Sequence, residues 1–370
     1  MQLAIFVACA PGLEPLLAEE MRALGCDPHV ERGGVETSGD RDTLATLLVE
    51  LGLASHVLVR VASFHAKDLE RLEQHVARLP WSGWLRRDVP RRVRATAQRS
   101  RVFHTGAITE RVERAIRTRL GDDPQGDDEI PIVVRLFEDR CTISIDTSGD
   151  ALHRRGYRLD PHRAPLREDL ARALVVASGW DGASLLVDPM CGSGTIAIEA
   201  ARIAMRHAPG LERSFAMERT ALDDGIALAQ ARERARSSLR LSAATIVARD
   251  RDPKAIDAAR ANAERAGVLD AITFEVGALS TAAAAIDPSL ARGTTPRVIT
   301  NPPWGERLGP GPDLRALHRG LGQLRRALGE DVRLTIAAHD RKLAYATGLP
   351  LKSAFLSDLG GLKVQAMVEG

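Results

Sequence analysis

The sequence predicts an α/β protein, with a Rossmann-like, doubly wound parallel sheet in its carboxyl-terminal part and smaller α+β units ahead of it. Two observations point there first. Beyond residue 153, short apolar runs and amphipathic stretches alternate in β/α order. Within that alternation, the glycine-rich segment Asp188-Pro189-Met190-Cys191-Gly192-Ser193-Gly194-Thr195 falls between an apolar run and a helical pattern. A third observation concerns the first 152 residues, where strand-like and helix-like runs are shorter and punctuated by turn residues. With 370 residues and 44% hydrophobic side chains, the chain can fill two or three cores at roughly 150 residues each.

In the amino-terminal part the predicted elements are a strand over Leu3–Cys9, helices over Leu13–Leu24 and Asp42–Leu51, and a strand over Ser55–Val61. The apolar start ends in Ala8-Cys9-Ala10, in the manner of a leader cleavage site. No positive charge precedes it, however, and Glu14, Glu19 and Glu20 follow at helical spacing, so a buried strand feeding an amphipathic helix is the expectation. Further on, Lys67–Leu79 and Gly106–Arg119 read as helices and Arg92–Ala97 as extended. Gly121–Glu129 is a loop, and Glu138-Asp139-Arg140 turns between strands Ile132–Phe137 and Cys141–Asp146. His153 to Pro165 is basic and broken by Gly156, Pro161 and Pro165, which sets a domain junction there. The expected division is 1–52, 53–152 and 153–370.

The carboxyl-terminal part reads as helix Leu166–Ser178, strand Ser184–Val187, the glycine turn, helix Thr195–Ala204, strand Thr245–Ala248, helix Pro253–Ala266, and strands Ile272–Glu275, Arg297–Thr300 and Arg333–Ala337. Gly360-Gly361 before Leu362–Val368 suggests a closing hairpin.

The net charge of +2 hides an uneven distribution: Arg86 to Arg119 holds eleven arginines against the acids Asp88, Glu110 and Glu113. Such a surface can meet phosphates, or can be no more than a solvated arginine-rich face. Cys9, Cys26, Cys141 and Cys191 are scattered, without the spacing of a zinc knuckle or disulfide framework, so no metal is expected and a reducing compartment fits. No run reaches the roughly 20 apolar residues of a membrane span, and a cytoplasmic location is the expectation.

Chemistry concentrates at predicted strand ends. At the first, Gly192, Gly194 and Ala197 satisfy a loose dinucleotide fingerprint, so an NAD site has to be weighed. Asp188 argues against it, because a carboxylate there attracts the ammonium of a methionine moiety and repels a pyrophosphate. Cys191 has no histidine nearby in sequence to make it a nucleophile. At the second, Asp250 can accept from ribose hydroxyls, while Asp252 before Pro253 suits a helix N-cap. At the third, Asn301-Pro302-Pro303-Trp304 follows strand Arg297–Thr300. An exocyclic base amine is a poor nucleophile; the Asn301 side-chain oxygen and the Pro302 carbonyl could hold its two N–H groups, prolines would fix the loop, and Trp304 would stack on an extruded base. A rigid surface turn is the alternative for this tetrapeptide alone. Three such signals in order at strand ends of one alternation favour a shared site.

Leu185–Ala200, His153-Arg154-Arg155-Gly156-Tyr157-Arg158, Ala164-Pro165-Leu166-Arg167-Glu168, Ala208-Pro209-Gly210-Leu211 and Asn301–Leu308 together resemble the THUMP-domain RNA methyltransferases. The likeness is to bacterial enzymes that methylate the N2 amine of guanine in large-subunit ribosomal RNA. It implies ferredoxin-like and THUMP RNA-binding units, a class I methyltransferase fold with a mostly parallel seven-stranded sheet whose last strand is reversed, and S-adenosylmethionine as donor. By correspondence, Asp188, Cys191, Gly192, Ser193, Gly194 and Thr195 would line the methionine side, and Asp250 with Arg251 the ribose side. Asn301 would border both donor and acceptor. Two departures stand out: Ala278 occupies the place where the family usually has an adenine-contacting Asp, and Trp304 replaces a commoner Tyr.

The function expected is methyl transfer to guanine N2 in structured RNA, ribosomal more than transfer RNA, with no obligate protein partner. The alternatives are N6-adenine or protein-amide methylation, a non-catalytic RNA-binding assembly factor suggested by Ala278, and, most remotely, an NAD-linked reductase.

Overall fold

A computed structural model of the chain describes residues 1–159, 166–291, 295–304, 313–359 and 362–370. These divide into one unit of residues 1–9, 18–152 and 210–234 and a second of 10–17, 153–209 and 235–370. Each is organised by a seven-stranded sheet.

The first unit runs β1 (Leu3–Cys9), α1 (Glu14–Ala23) from residue 18 on, β2 (His29–Glu31), β3 (Gly34–Gly39), α2 (Arg41–Glu50), β4 (Ala54–His65), α3 (Leu69–Ala77), β5 (Arg91–Gln98), α4 (Thr105–Leu120), β6 (Ile130–Phe137) and β7 (Arg140–Asp146). Its strand order is β2-β3-β1-β4-β7-β6-β5, with only β5–β6 parallel. β4 offers one edge to β1 and the other to β7. The sheet therefore runs unbroken past position 52, where the sequence suggests a boundary. Glu138 and Asp139 take positive φ values of 51° and 61°, the twist that a tight hairpin between β6 and β7 requires. Sequence reading misses the β2–β3 hairpin: β2 is fully exposed and carries no apolar alternation to mark it.

The arginine-rich segment is less basic in space than in sequence. Arg91 is buried against Asp123, Arg92 meets Glu129, Arg111 meets Glu73 and Arg117 lies near Asp122, all acids from outside the segment. Residues 210–234 add a further layer to this unit. The Gly210 amide donates to the Val49 carbonyl at 2.8 Å, Phe215 is wholly buried, and the Arg213 guanidinium donates to the carbonyls of Asp150 and Leu152.

The second unit contains α5 (Glu168–Ala177), β8 (Leu186–Asp188), α6 (Thr195–Ala204), only the end of α7 (Ala227–Ser237) from residue 235 on, β9 (Ile246–Asp250), α8 (Pro253–Arg265), β10 (Thr273–Val276), α9 (Leu279–Ala285), β11 (Arg297–Thr300), α10 (Leu314–Leu328), β12 (Arg333–Ala338), α11 (Arg341–Tyr345), β13 (Leu351–Leu359) and β14 (Leu362–Glu369). The strand order is β10-β9-β8-β11-β12-β14-β13, with β14 antiparallel to both neighbours. This is the class I arrangement with its reversed last strand. The order changes direction between β8 and β11, and a crevice for ligands opens outside the carboxyl ends of parallel strands at such a switch point.

α10 shows how the sheet is covered. Leu321, Leu324 and Leu328 pack into a core with Val187, Val298, Leu334 and Ile336. Asp313 caps its start by accepting from the Arg315 amide at 2.9 Å. The helix is missing from the sequence reading because Gly320 and Gly322 interrupt it. At Gly322 an added Cβ would stand 2.0 Å from the Thr347 carbonyl oxygen, so the glycine serves close packing. Gly360-Gly361, Pro161, Pro165 and Gly305-Glu306-Arg307-Leu308 lie outside the described residues. Among the described residues, no helix is long and apolar enough to cross a membrane.

Candidate active site

β8, β9, β10, β11 and β12 are mutually parallel, so their last residues Asp188, Asp250, Val276, Thr300 and Ala338 share one rim. The predicted motifs follow directly from these tips. β8 and β11 are hydrogen-bonded neighbours, and the Thr300 hydroxyl donates to Asp188 Oδ1 at 2.7 Å. Asn301 therefore begins one residue beyond a side chain tied to the first residue of the glycine turn.

That turn is held from several directions. The Gly192 amide donates to Asp250 Oδ2 at 3.0 Å, the Cys191 amide donates to the Arg249 carbonyl at 2.8 Å, and Asn262 Nδ2 on α8 donates to the Ser193 carbonyl at 3.0 Å. Gly192 and Gly194 have φ values of +52° and +82°, the left-handed region where a Cβ is disfavoured. They differ in surroundings: a Cβ at Gly192 would meet nothing within 4 Å, whereas at Gly194 it would lie 2.9 Å from Ala259 Cβ. Gly192 thus leaves an open cradle above the backbone, and Gly194 lets α6 and α8 close on each other.

Asp188 is 1% exposed. Burial pushes its carboxyl up to about 7; the Thr300 hydroxyl and Met190 amide work against this, and the nearby charge of Asp250 adds to it. One Asp188 oxygen is engaged by the Thr300 hydroxyl, so the side chain ties β8 to β11 as well as standing at the turn where the sequence reading expects it to meet an ammonium. Asp250 also accepts from the Asp252 amide at 3.0 Å. Asp252 caps α8 through the Lys254 amide, as expected. Cys191, Ser193 and Thr195 are buried, which leaves Gly192 as the turn's open point, while Arg251 is exposed. Desolvation raises the Cys191 thiol well above its ordinary range, the opposite of what a nucleophile needs.

Ala278 precedes α9 without a side-chain cap. Beneath it, Arg249 is buried and paired with Glu275, and a Cβ at Gly277 would collide with that guanidinium. Gly277 donates its amide to the Asp250 carbonyl at 2.9 Å, so backbone and an arginine border the place where the family usually has a carboxylate.

On the acceptor side, Pro302 is buried and Pro303 exposed. Asn301 Oδ1 and Trp304 Nε1 are buried, with no hydrogen-bond partner among the described residues. One face of Trp304 packs against His339, with ring centroids 6.0 Å apart. Sequence reading misses Thr300, Asn262, Arg249 and His339. Thr300 could have been suspected as the last residue of a strand bordering the switch point. Asn262, Arg249 and His339 carry no such signal.

The basic stretch before this unit's helices is largely spent internally. The Tyr157 hydroxyl donates to Glu199 Oε1 at 3.1 Å, Arg158 pairs with Glu168, and Arg265 Nε donates to the Tyr157 carbonyl.

A donor with a methionine portion and a ribose fits these residues, since the Gly192 cradle is open, Asp250 lies beside it, and Asn301, whose Oδ1 has no partner among the described residues, shares the rim.

Comparison with known proteins agrees with this architecture. Residues 155–348 match the RMKL-like methyltransferase domain, residues 4–58 the RlmL ferredoxin-like domain, and residues 66–146 the THUMP domain. A ribosomal RNA large subunit methyltransferase K/L from Syntrophotalea carbinolica is 38% identical over 337 residues, covering 86% of this chain and 47% of that protein. The chain thus spans about half the length of this curated relative. A solved structure from Clostridium difficile 630, described as a possible methylase, is 32% identical with a TM-score of 0.89, covering 100% of this chain and 98% of that one. The SMU.472 protein, solved as a complex with SAH, is 28% identical with a TM-score of 0.87 and covers 100% and 98%. With a family match over more than half its length and the same fold from end to end, the chain belongs to the RMKL-like methyltransferase family.

Proposed function

We propose that the chain transfers the methyl group of S-adenosylmethionine to the exocyclic N2 amine of a guanine in structured RNA, with ribosomal RNA as the substrate. The observation that carries this is Asn301 Oδ1 just past the tip of β11, buried and without a hydrogen-bond partner among the described residues, next to Thr300, which is bonded to the glycine turn. A buried acceptor without a donor is costly, and an amine N–H would satisfy it. When bound, the donor supplies a methyl group on a sulfonium that departs as a neutral thioether. The work left to the protein is alignment. Asn301 Oδ1, with the Pro302 carbonyl, holds the amine so that its lone pair faces the methyl, and charge developing on nitrogen is met by these acceptors. Trp304 offers the base its face opposite His339. Gly192 lets the methionine portion approach the backbone, with Asp188, Cys191, Ser193, Gly194 and Thr195 shaping the turn. Asp250 takes the ribose hydroxyls, Arg251 borders that side, and the backbone at Ala278 borders the adenine.

RNA as acceptor is supported by the ferredoxin-like and THUMP matches, and ribosomal RNA by the description of the Syntrophotalea relative. The test is incubation of the protein with tritiated donor and RNA lacking the modification. Incorporation recovered as N2-methylguanosine is the expected result. Label in N6-methyladenosine, in DNA, or surviving ribonuclease would overturn the substrate. A non-catalytic assembly role, suggested by Ala278, is removed by calorimetric binding of S-adenosylhomocysteine.

A further inference from the structure

His339 lies immediately past β12, the strand beside β11. Its ring is 6.0 Å from that of Trp304 and tilted 26° from it, within the roughly 4.5–7 Å of favourable aromatic pairs. The imidazole is itself anchored: Nδ1 lies 3.1 Å from the Lys363 carbonyl on β14. Since a carbonyl can only accept, Nδ1 carries the proton and donates. β12 and β14 are paired at Ala338 and Gln365, so this bond ties the ring to the sheet. Trp304, by contrast, follows two prolines beyond the end of β11, and its indole N–H is buried without a partner among the described residues.

We propose that His339 is a positioning residue that backs one face of Trp304, so that the opposite face is a ready-made wall for the acceptor base. An indole free to turn would have to be ordered at each binding event, which weakens association. One already stacked on an anchored ring loses little further freedom. His339 has this role only if Asn301-Pro302-Pro303-Trp304 grips the acceptor amine, as proposed above.

The probe is 2-aminopurine riboside, a fluorescent nucleoside with an amine at the guanine N2 position, titrated into protein saturated with S-adenosylhomocysteine. Wild type should quench its fluorescence and Trp304→Ala should not. His339→Ala should bind about fivefold more weakly, a fraction of the loss expected for deleting a stacking aromatic outright, and His339→Phe should recover to within about twofold, because a flat ring can back the indole without an imidazole. S-adenosylhomocysteine affinity should be the same in all variants, and RNA turnover by His339→Ala should show a raised KM with kcat retained. Equal nucleoside binding by wild type and His339→Ala, or no recovery in His339→Phe, would overturn the role. So would quenching in wild type no greater than in Trp304→Ala. The activity is judged separately: RNA methylation alongside unweakened His339→Ala removes only the positioning role, and intact quenching without methylation of RNA removes only the substrate.

Discussion

The two sides of the rim are built on opposite principles. On the β8–β9 side, the polar groups that sequence analysis singled out already have internal partners: Asp250 holds the amides of Gly192 and Asp252, Asp188 takes the Thr300 hydroxyl, and Asn262 supports Ser193. Beyond the tip of β11, Asn301 Oδ1 and Trp304 Nε1 are buried with no hydrogen-bond partner among the described residues. The first side is a scaffold whose shape is the site; the second presents polar atoms that the described residues leave unpaired. Changes on the first side should therefore damage fold and donor binding together, whereas changes on the second should damage acceptor binding or transfer and spare fold and donor binding.

Asn301→Ala tests this separation most severely. Removing a preorganised acceptor for developing charge lowers rates by about 10²–10³-fold, and here the loss should fall on kcat. Because Oδ1 has no partner in the described structure, thermal midpoint and S-adenosylhomocysteine affinity should hold. A variant that unfolds early or loses the donor would show that Asn301 belongs to the scaffold after all.

Gly194→Ala should behave in the opposite way. It places a Cβ at φ +82°, 2.9 Å from Ala259 Cβ, and the left-handed backbone alone costs about 1–2 kcal/mol for a non-glycine residue. Chemical denaturation should show that loss together with weaker donor binding. Asp250→Ala removes the acceptor of two backbone amides, each worth about 1 kcal/mol; calorimetry should record weakened donor affinity and denaturation a comparable loss of stability. Donor affinity intact in either variant would break the comparison from the scaffold side.

The same contrast explains what was legible in the sequence. The glycine turn, Asp250 and Asn301-Pro302-Pro303-Trp304 could be read because each directly follows a short apolar strand, and a parallel sheet brings such ends together whatever the intervening chain does. α10 escaped because Gly320 and Gly322 read as helix breakers, although Gly322 is there to admit the Thr347 carbonyl. The β2–β3 hairpin escaped because it is polar, and part of what holds it is Arg60 of β4, paired to Glu31 and Glu36. The arginine-rich segment looked more basic than it is because Glu73, Asp123 and Glu129 come from elsewhere in the chain. His339 could not be seen, since its role depends on β12 lying beside β11. In each case the missing information was a contact distant in sequence.

The smallest expected effect sits where the two sides join. Asp188 has its folded-state pKa pushed up to about 7 by burial, above the value of about 3.9 for an unfolded aspartate. The fold therefore binds the extra proton between these values, so the stabilisation is fully present below about pH 4 and is lost as pH rises through 7. Asp188→Asn cannot ionise, yet its side-chain oxygen can still accept from Thr300. Its thermal midpoint should change less between pH 5 and pH 8 than that of wild type, and should lie a few degrees higher at pH 8. Donor binding should move the other way. An ammonium near the turn favours the carboxylate, so wild-type affinity for S-adenosylhomocysteine should climb as pH rises toward 7 and level off above it, while the Asn variant shows neither the climb nor the gain. Parallel pH profiles for the two proteins in both measurements would mean that Asp188 remains ionised across the range, and that the link between β8 and β11 is a charged one.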